Sequence, residues 1–330
     1  MGWIAAALPL GVFIGIWKLS GRVRAWLIRR AIFDQPGERS AHTTPTPRGG
    51  GVIVMPCLIA AWLALALFGA APPGTAAIAA VAGALALLSW LDDLRSLPVG
   101  LRLLGHAVAV IVGLSFVPNA EVFQGWLSPL LDRIATTLIW VWFINLFNFM
   151  DGIDGITAIE TASLGFGIAL VAGRLDDDGI AALAFCAAAA GLAFLRWNWH
   201  PAKLFLGDSG SVPLGYLFGW LLFFLAARGF WASALILPLY YLADATLTLV
   251  VRVLRGEHFW RPHRQHFYQR ALGQDGDHAA VARFVLAGDV MLVALAVIAT
   301  ARPISALIGA AIVVMSMLAA MQWRGRSVAG

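Results

Sequence analysis

Charged residues are scarce in this chain of 330 residues: 12% are Asp, Glu, Lys or Arg, whereas 60% are hydrophobic. The mean hydropathy of +0.81 excludes an ordinary soluble domain. The apolar residues form continuous runs of roughly 17 to 20 residues, long enough to cross a hydrocarbon core of about 30 Å as α-helices. Since the alternating pattern of a membrane β-barrel is absent, the sequence predicts spanning helices, which satisfy their own backbone groups.

Cysteine is also nearly absent. The only two, Cys57 and Cys186, lie inside apolar runs. This excludes a disulfide framework and a cysteine-based zinc site, and it favours a packing role for both thiols.

We predict an all-α, polytopic integral membrane bundle of eleven helices that forms a single domain over residues 1–330. At this length most of the chain is needed for the spans, which leaves no sizeable soluble domain. The predicted spans are 3–19, 50–69, 75–91, 101–118, 132–149, 156–174, 180–196, 212–227, 231–251, 283–300 and 303–322.

The basic residues indicate the orientation of the bundle. Threading the eleven spans places 19 of the 23 Lys and Arg residues on one side, which the positive-inside rule makes cytoplasmic. The N-terminus is then periplasmic and the C-terminus cytoplasmic. This topology accounts for the net charge of +5 without nucleic-acid binding. The cytoplasmic loops 20–48, 92–102, 148–155, 196–211 and 252–282 are expected to form any active site.

Five aspartates stand in short polar segments at the ends of apolar runs: Asp92, Asp93, Asp151, Asp154 and Asp208. All five fall on the predicted cytoplasmic side, although the spans were assigned without reference to them. Carboxylates gathered at a membrane surface indicate a metal ion and a phosphorylated substrate. The alternative for the Asp92-Asp93 pair is two solvated acids at the interface.

The segment NLFNFMDGIDG carries Asn145, Asn148, Asp151 and Asp154 at every third position, so several could converge on one ligand. The alternative is a glycine-rich helix break with capping acids. Asp208, in FLGDSGS, precedes a span. It is either a helix N-cap or part of a phosphate site at a helix N-terminus.

Basic residues are concentrated in two loops. In HFWRPHRQHFYQR, His263, Arg264 and His266 could bind a diphosphate or a sugar, or they could contact lipid headgroups. In the first loop Arg39, His42 and Arg48 could bind phosphate, or the stretch could be a rigid Pro/Gly loop.

Two further acids, Asp244 and Asp289, lie within predicted spans. Acids in such positions are costly and invite a functional interpretation, but we expect a structural or interfacial role for each. Asp244 lies two turns from Arg252 and could pair with it.

These segments, in this order, resemble the polyprenyl-phosphate N-acetylhexosamine-1-phosphate transferases of glycosyltransferase family 4. The resemblance covers nearly the whole chain: the Pro-rich first loop, the DD pair, NxxNxxDGxDG, LGDSGS and the His/Arg loop. ERSAHTTPTPRGGG and HRQHFYQR are most similar to the branch that starts O-antigen-like chains with GlcNAc, QuiNAc or FucNAc phosphates. The peptidoglycan branch, phospho-MurNAc-pentapeptide translocase, would have three consecutive histidines where this chain has HRQH.

The resemblance implies transfer of a sugar 1-phosphate from a UDP-sugar to undecaprenyl phosphate, with release of UMP. It implies Mg²⁺, with Mn²⁺ as a substitute, in the bacterial inner membrane among its lipids, and it allows a homodimer. By motif position Asp208 and Asn148 hold the metal, Asp92 and Asp93 are catalytic, and Asp154 contacts uracil. The remaining substrate-binding positions are Asn145, Asp151, Arg102, Arg48, His263, Arg264 and His266.

Three other classes remain open on the residues alone. A transporter would need access from both sides, whereas the polar groups cluster on one. A lipid phosphatase would release inorganic phosphate. A structural scaffold gives no reason for five acids on one face.

Overall fold

A computed structural model describes residues 2–35, 44–118, 121–257, 263–273 and 276–327, with side chains from residue 6 to residue 325 in those ranges. Two short strands, β1 (Phe33–Asp34) and β2 (Thr46–Pro47), pair antiparallel. The helices are α1 (Gly2–Arg29), α2 (Gly51–Leu67), α3 (Thr75–Arg95), α4 (Val99–Leu114), α5 (Pro129–Phe149), α6 (Ile156–Ala172), α7 (Asp178–Asn198), α8 (Asp208–Leu225), α9 (Trp231–Ile236), α10 (Leu239–Leu254), α11 (Phe267–Arg270), α12 (His278–Ala299) and α13 (Pro303–Ser327).

Among the described residues, eight helices are long and apolar enough to cross a membrane, with α8 and α9 counted as one. Helices α2 and α4 are apolar but shorter, with 17 and 16 residues. The predicted helical, multi-pass architecture is therefore confirmed. The count of eleven spans, their orientation and the single-domain assignment stay predictions.

The segment predicted as a continuous span over 231–251 is broken. Helix α9 ends at Ile236 and α10 starts at Leu239. Pro238 lies between them and has no backbone N–H with which to continue the helical hydrogen bonds. Upstream, α8 runs into α9 through a π-helical turn in which Gly229 has a φ of 92°. This left-handed conformation favours glycine. The helix is therefore interrupted twice, at Gly229 and at Pro238.

Helix α8 lies at the centre of the bundle. In its most apolar stretch 94% of the residues are buried, and it packs against α2, α3, α5 and α6. A helix that is apolar on all sides suits such a position. In α1 the corresponding share is 17%, so most of its apolar side chains face outward, as lipid contact requires.

Helices α6 and α7 pack closely through glycine. A Cβ atom at Gly165 would lie 2.5 Å from the backbone nitrogen of Ala188, and one at Gly191 would lie 2.6 Å from the carbonyl oxygen of Ala158. Small residues allow helix backbones to approach in this way within a membrane. The pair fixes the segments before α6 and after α7, which carry part of the site described below.

Both cysteines are free. Cys186 is buried in the core and Cys57 is half-buried against α1. This agrees with the packing role predicted for them.

Asp289 on α12 faces another acid across the helix interface, Glu160 on α6. Both side chains are buried, and neither oxygen of Asp289 has a hydrogen-bond partner among the described residues. The two acids lie where α6 packs against α12. The structural or interfacial role expected of Asp289 stays a prediction.

The first loop is bound to the segment that precedes α8. Phe205 N donates to Pro47 O at 2.9 Å, and Gly50 N donates to Phe205 O at 2.8 Å. Gly51 fits here because a Cβ atom would overlap the backbone of Ser209 and Gly210. The loop therefore places Arg48 beside the first residue of α8.

Candidate active site

Asp208, the first residue of α8, lies between two arginines. Its Oδ1 is 2.6 Å from Arg48 Nη2, and its Oδ2 is 4.0 Å from Arg102 Nη1. Asn148 Nδ2 donates to the same Oδ1 at 3.1 Å. The side chain is 19% exposed, so this carboxylate can still be reached by a ligand.

Asp93 is buried behind Asp208. Its carboxylate accepts the backbone N–H groups of Asp208 at 3.2 Å and Ser209 at 3.0 Å, and it lies 2.9 Å from Arg48 Nη2. It therefore caps the N-terminus of α8 from another helix. Because this carboxylate takes these two amides, the interpretation of the helix N-terminus as a phosphate site is wrong for them.

Arg48 is held as a cation by three acids. Burial alone would lower the pKa of its guanidinium, but the carboxylates of Asp208, Asp93 and Asp34 raise it above the usual range. A positive charge is thus fixed next to Asp208 at every physiological pH.

Asp92 points away from its neighbour Asp93, because successive helical residues differ by about 100° around the axis. Its Oδ1 accepts the backbone N–H of Leu97 at 2.6 Å, and its Oδ2 is 3.0 Å from Arg102 Nη1. The two acids therefore have different partners: Asp92 contacts Leu97 and Arg102, whereas Asp93 contacts Arg48 and the start of α8. The sequence alone did not distinguish them.

Two cavities meet at Asn148, Phe149 and Asp208. The first, here called the polar cavity, has a volume of about 250 Å³. Its polar lining includes Asp34, Arg48, Asn148, Asp151, Asp208 and Gln269. The second, here called the mixed cavity, has a volume of about 460 Å³. It has a polar end (Asp92, Arg102, His106, Asn145, Asn148 and Asp208) and apolar walls (Leu88, Val99, Leu103, Leu138, Val141 and Val212).

Asn145 and Asn148 lie one turn apart near the end of α5, and both line the mixed cavity. Asn148 Nδ2 also donates to Ser211 Oγ at 2.8 Å, while Asn145 Nδ2 donates to Val141 O at 2.7 Å. The predicted spacing of three therefore brings both amides to one face, at the point where the cavities meet.

Asp151 lines the polar cavity. Desolvation by burial raises the pKa of its carboxyl to about 7. Behind it Gly152 packs against the Tyr268 hydroxyl, which donates to Phe149 O at 3.0 Å. Asp151 can therefore change charge near neutral pH, unlike a solvated aspartate.

Asp154 contacts two histidines, His200 and His278, which the sequence did not identify as candidates. Its Oδ2 lies 2.7 Å from His200 Nδ1 and accepts the Ala202 N–H at 3.1 Å, while His278 Nδ1 lies 3.3 Å from Oδ1. Burial would raise the pKa of Asp154, but the contacts with His278, His200 and Ala202 outweigh it and lower the pKa. The carboxylate thus connects three segments: the one before α6, the one after α7 and the start of α12. The predicted contact of Asp154 with uracil stays a prediction.

Asp244 holds the last loop in place. Its carboxylate accepts the backbone N–H groups of Phe267 at 2.9 Å and Tyr268 at 3.0 Å, and the Tyr240 hydroxyl at 3.2 Å. The expected pairing with Arg252 is wrong, because Arg252 Nη1 instead lies 3.2 Å from Glu257 Oε2. Asp244 is therefore an anchor for α11.

The three predicted residues of the last loop do not line either cavity. His266 is buried, with Nδ1 3.4 Å from Asp244 Oδ1, and its ring centroid lies 4.8 Å from that of His263. Burial and the nearby His266 and Arg252 lower the pKa of His263 to about 4. Arg264 is exposed. Their substrate contacts stay predictions, and the first-loop candidates Arg39 and His42 lie outside the described residues.

Comparison with known proteins relates part of this chain to a family. The sequence profile of glycosyl transferase family 4 matches residues 75–226. A probable undecaprenyl-phosphate N-acetylglucosaminyl 1-phosphate transferase of Bacillus subtilis is 29% identical, over 76% of this chain and 72% of the relative. Over residues 75–226 this chain is therefore similar to glycosyl transferase family 4.

Other relatives of this chain carry two kinds of name. A decaprenyl-phosphate N-acetylglucosaminephosphotransferase of Mycolicibacterium smegmatis is 30% identical over 65% of this chain, which spans 58% of that relative's length. A phospho-N-acetylmuramoyl-pentapeptide-transferase of Carboxydothermus hydrogenoformans is 28% identical over 63% of this chain and 72% of the relative. The family similarity therefore does not decide between these names.

The family 4 match extends over α3 to α8 and includes Asp92, Asp93, Asp151, Asp154 and Asp208, but neither the first loop nor the last. The structure adds His106, His200 and His278 to the candidate residues of this chain. Each is a single histidine without a distinctive spacing. Only the packing of separate helices places them beside the acids.

Proposed function

We propose that this protein moves a sugar 1-phosphate from a UDP-sugar to undecaprenyl phosphate and releases UMP. The observation that carries the proposal is the meeting of the polar and mixed cavities at Asp208 and Asn148, with Arg48 and Arg102 on either side. Two phosphorylated substrates can approach this point from different directions. The names of the relatives support the same reaction class.

The lining of each cavity indicates its substrate. The polar cavity offers charged and amide groups to a hydrophilic nucleotide sugar. The mixed cavity combines Asp92 and Arg102 with leucine and valine walls, which suits a phosphate carried on an isoprenoid chain. The donor therefore occupies the polar cavity, and the acceptor phosphate lies near Arg102.

Mg²⁺ is the proposed cofactor, with Mn²⁺ as a substitute. Asp208 fits it as a hard oxygen ligand, and Asn148 fits once its amide is rotated to present Oδ1. Mg²⁺ favours one or two such ligands together with substrate phosphates and water. When bound, it supplies positive charge against the diphosphate.

The chain's own groups then position the two phosphates. An oxygen of the acceptor phosphate attacks the phosphorus that bears the sugar, a new P–O bond forms, and the P–O bond to UMP breaks. Lipid phosphate is largely dianionic at pH 7, since its second pKa is about 6, so a strong base is not required. Asp92 faces the mixed cavity and would take a residual proton or orient the acceptor, whereas Asp93 positions Arg48 and α8.

A covalent aspartyl intermediate is the rival mechanism. Incubation with labelled UMP and UDP-sugar, without lipid, distinguishes the two. We expect no label in the UDP-sugar, because direct attack needs the acceptor; lipid-independent exchange would refute direct attack.

The donor sugar and the location complete the proposal. The first and last loops favour an N-acetylhexosamine such as GlcNAc, QuiNAc or FucNAc, and hence the start of an O-antigen-like polysaccharide. The second candidate is transfer of phospho-MurNAc-pentapeptide, which the name of the Carboxydothermus relative supports. We place the protein in the bacterial inner membrane with the site at the cytoplasmic face. Labelling of cysteines introduced at positions 92 and 208 from each side tests that orientation.

The decisive experiment measures UMP release from a panel of UDP-sugars that includes UDP-MurNAc-pentapeptide. The purified full chain is assayed with undecaprenyl phosphate and Mg²⁺, with undecaprenol as the matched control. We expect UMP only with the phosphate and with one or a few UDP-N-acetylhexosamines. Release of inorganic phosphate, or no UMP with any donor, would refute the proposal.

A further inference from the structure

His106 is a buried histidine at the polar end of the mixed cavity. It belongs to α4, is 5% exposed, and its Nδ1 has no hydrogen-bond partner among the described residues. A buried nitrogen that makes no hydrogen bond destabilises a folded protein. Such a nitrogen therefore usually has a functional role or a partner outside the chain. Since His106 lines the mixed cavity, a ligand in that cavity is a candidate partner for this side chain.

Arg102 presents a second nitrogen of the same kind. It lies one turn before His106, so both side chains project from one face of α4. Its Nη1 binds Asp92, but its Nε is buried without a partner in the part of the chain that the structure describes. Both residues line the mixed cavity, and each has a buried nitrogen with unused hydrogen-bonding capacity.

The shape of the cavity limits what these nitrogens can bind. Both are able to donate, His106 in the tautomer with a proton on Nδ1, so their partner is an acceptor of hydrogen bonds. Beyond them the walls are apolar, with Leu103, Leu138 and Val141 among the lining residues. A phosphate monoester at the end of a hydrocarbon chain has both properties, whereas a free nucleotide has only the first.

We infer that His106 binds a phosphate oxygen of the lipid acceptor, together with Arg102, and so positions the acceptor for attack. This inference rests on the proposed function, because it assigns the mixed cavity to the acceptor. His106 would hold the phosphate at the end of the cavity that contains Asp92 and Asp208. It is a binding residue, distinct from Asp92, which would take a proton or orient the acceptor, and from Asp208, which would hold the metal.

Direct binding of the lipid tests this without turnover. A short-chain polyprenyl phosphate, the matching polyprenol, inorganic phosphate and phosphatidic acid are titrated into the full-length protein in detergent. We expect the wild type to prefer the polyprenyl phosphate to the other three. His106→Met, which fills the space without an N–H group, should weaken phosphate binding about tenfold or more and leave polyprenol binding unchanged.

His106→Gln is the matched variant, because its amide can donate where methionine cannot. We expect it to retain phosphate binding within about threefold of wild type. Leu104→Ala, at an exposed position on the same helix, controls for general effects on α4. Wild-type binding by His106→Met, or equal losses of phosphate and polyprenol, would overturn the inference in favour of a packing role.

Turnover separates the failure of this inference from that of the proposed function. If the wild type binds polyprenyl phosphate as described but releases UMP from no donor, the proposed reaction fails and His106 remains a phosphate ligand. If UMP is released and His106→Met leaves the KM for the acceptor unchanged, the assignment of His106 fails and the reaction stands.

Discussion

The polar and mixed cavities share Asp208 and Asn148 yet differ in everything else that lines them. The polar cavity contains Arg48 and Asp151, while the mixed cavity has one charged end and a wall of aliphatic side chains. The neighbours Asp92 and Asp93 divide between these surroundings, because one faces the mixed cavity and the other supports Arg48. Position along the chain therefore does not determine the role of an acid; the direction of its side chain does.

The largest effect is expected where the cavities meet. Asp208→Asn keeps the size of the side chain but removes the charge that would hold Mg²⁺ and pair with Arg48. We expect kcat to fall about 10³-fold, as when a group acting directly on developing charge is lost. UMP release measures this, and a Mg²⁺-dependent rise in melting temperature should be lost in parallel. Retention of both properties would remove Asp208 from the proposed metal site.

Substitution of Asp92 should mainly lower activity, whereas substitution of its neighbour Asp93 should mainly lower stability. Asp92→Asn is expected to lower kcat about 10²-fold, the scale of proton transfer or orientation, and to lower the melting temperature less than Asp93→Asn does, because the amide oxygen can still accept the Leu97 N–H. Asp93→Asn should reduce the free energy of unfolding by about 1–3 kcal/mol, because the half-buried Arg48 loses one of its three carboxylate partners and α8 loses part of its cap.

Paired kinetic and melting measurements on both variants provide the comparison, and Asp92→Glu with Asp93→Glu are the matched controls that keep the charge. If Asp92→Asn destabilised the protein as much as Asp93→Asn while both kept wild-type kcat, the division between the two acids would be wrong.

The sequence predicted the helical membrane architecture because continuous apolar runs and scarce charge leave few alternatives. It also predicted that the C-terminal ends of α3 and α5 lie together with the N-terminal end of α8. In the structure the Asp93 carboxylate lies 3.0 Å from the Ser209 amide. Scarce acids in a membrane chain are informative because each one is costly unless it is paired.

What the sequence could not predict depends on tertiary contacts. Asp154 looked like a free ligand, but His200 approaches it from the segment after α7 and His278 from the start of α12. Asp208 looked like the start of a phosphate-binding helix, but Asp93 takes its amides. Pro238 was present in the predicted span as a local signal, but Pro56 and Pro213 lie inside continuous helices, so proline alone could not locate the break.

The two arginines should affect different substrates. Arg102→Gln is expected to raise the KM for undecaprenyl phosphate about tenfold, because the guanidinium faces the mixed cavity. Arg48→Gln should raise the KM for the UDP-sugar by a similar factor. Initial rates at varied donor and acceptor concentrations separate these effects. If both substitutions changed the same KM, the assignment of one substrate to each cavity would be refuted.

The smallest effect concerns Asp154, which lines the polar cavity beside His278. Its pKa is lowered in the folded protein, so its charge contributes stability above the unfolded value of about 3.9, and that contribution is lost as pH falls through the folded pKa. Asp154→Asn should therefore reduce the free energy of unfolding by about 1–2 kcal/mol at pH 7. The difference between wild type and variant should shrink below pH of about 4. Urea unfolding in detergent across this range measures it, with Asp177→Asn as a control on the far side of the bundle. A difference independent of pH would mean that shape, rather than the charge facing His200 and His278, holds this segment.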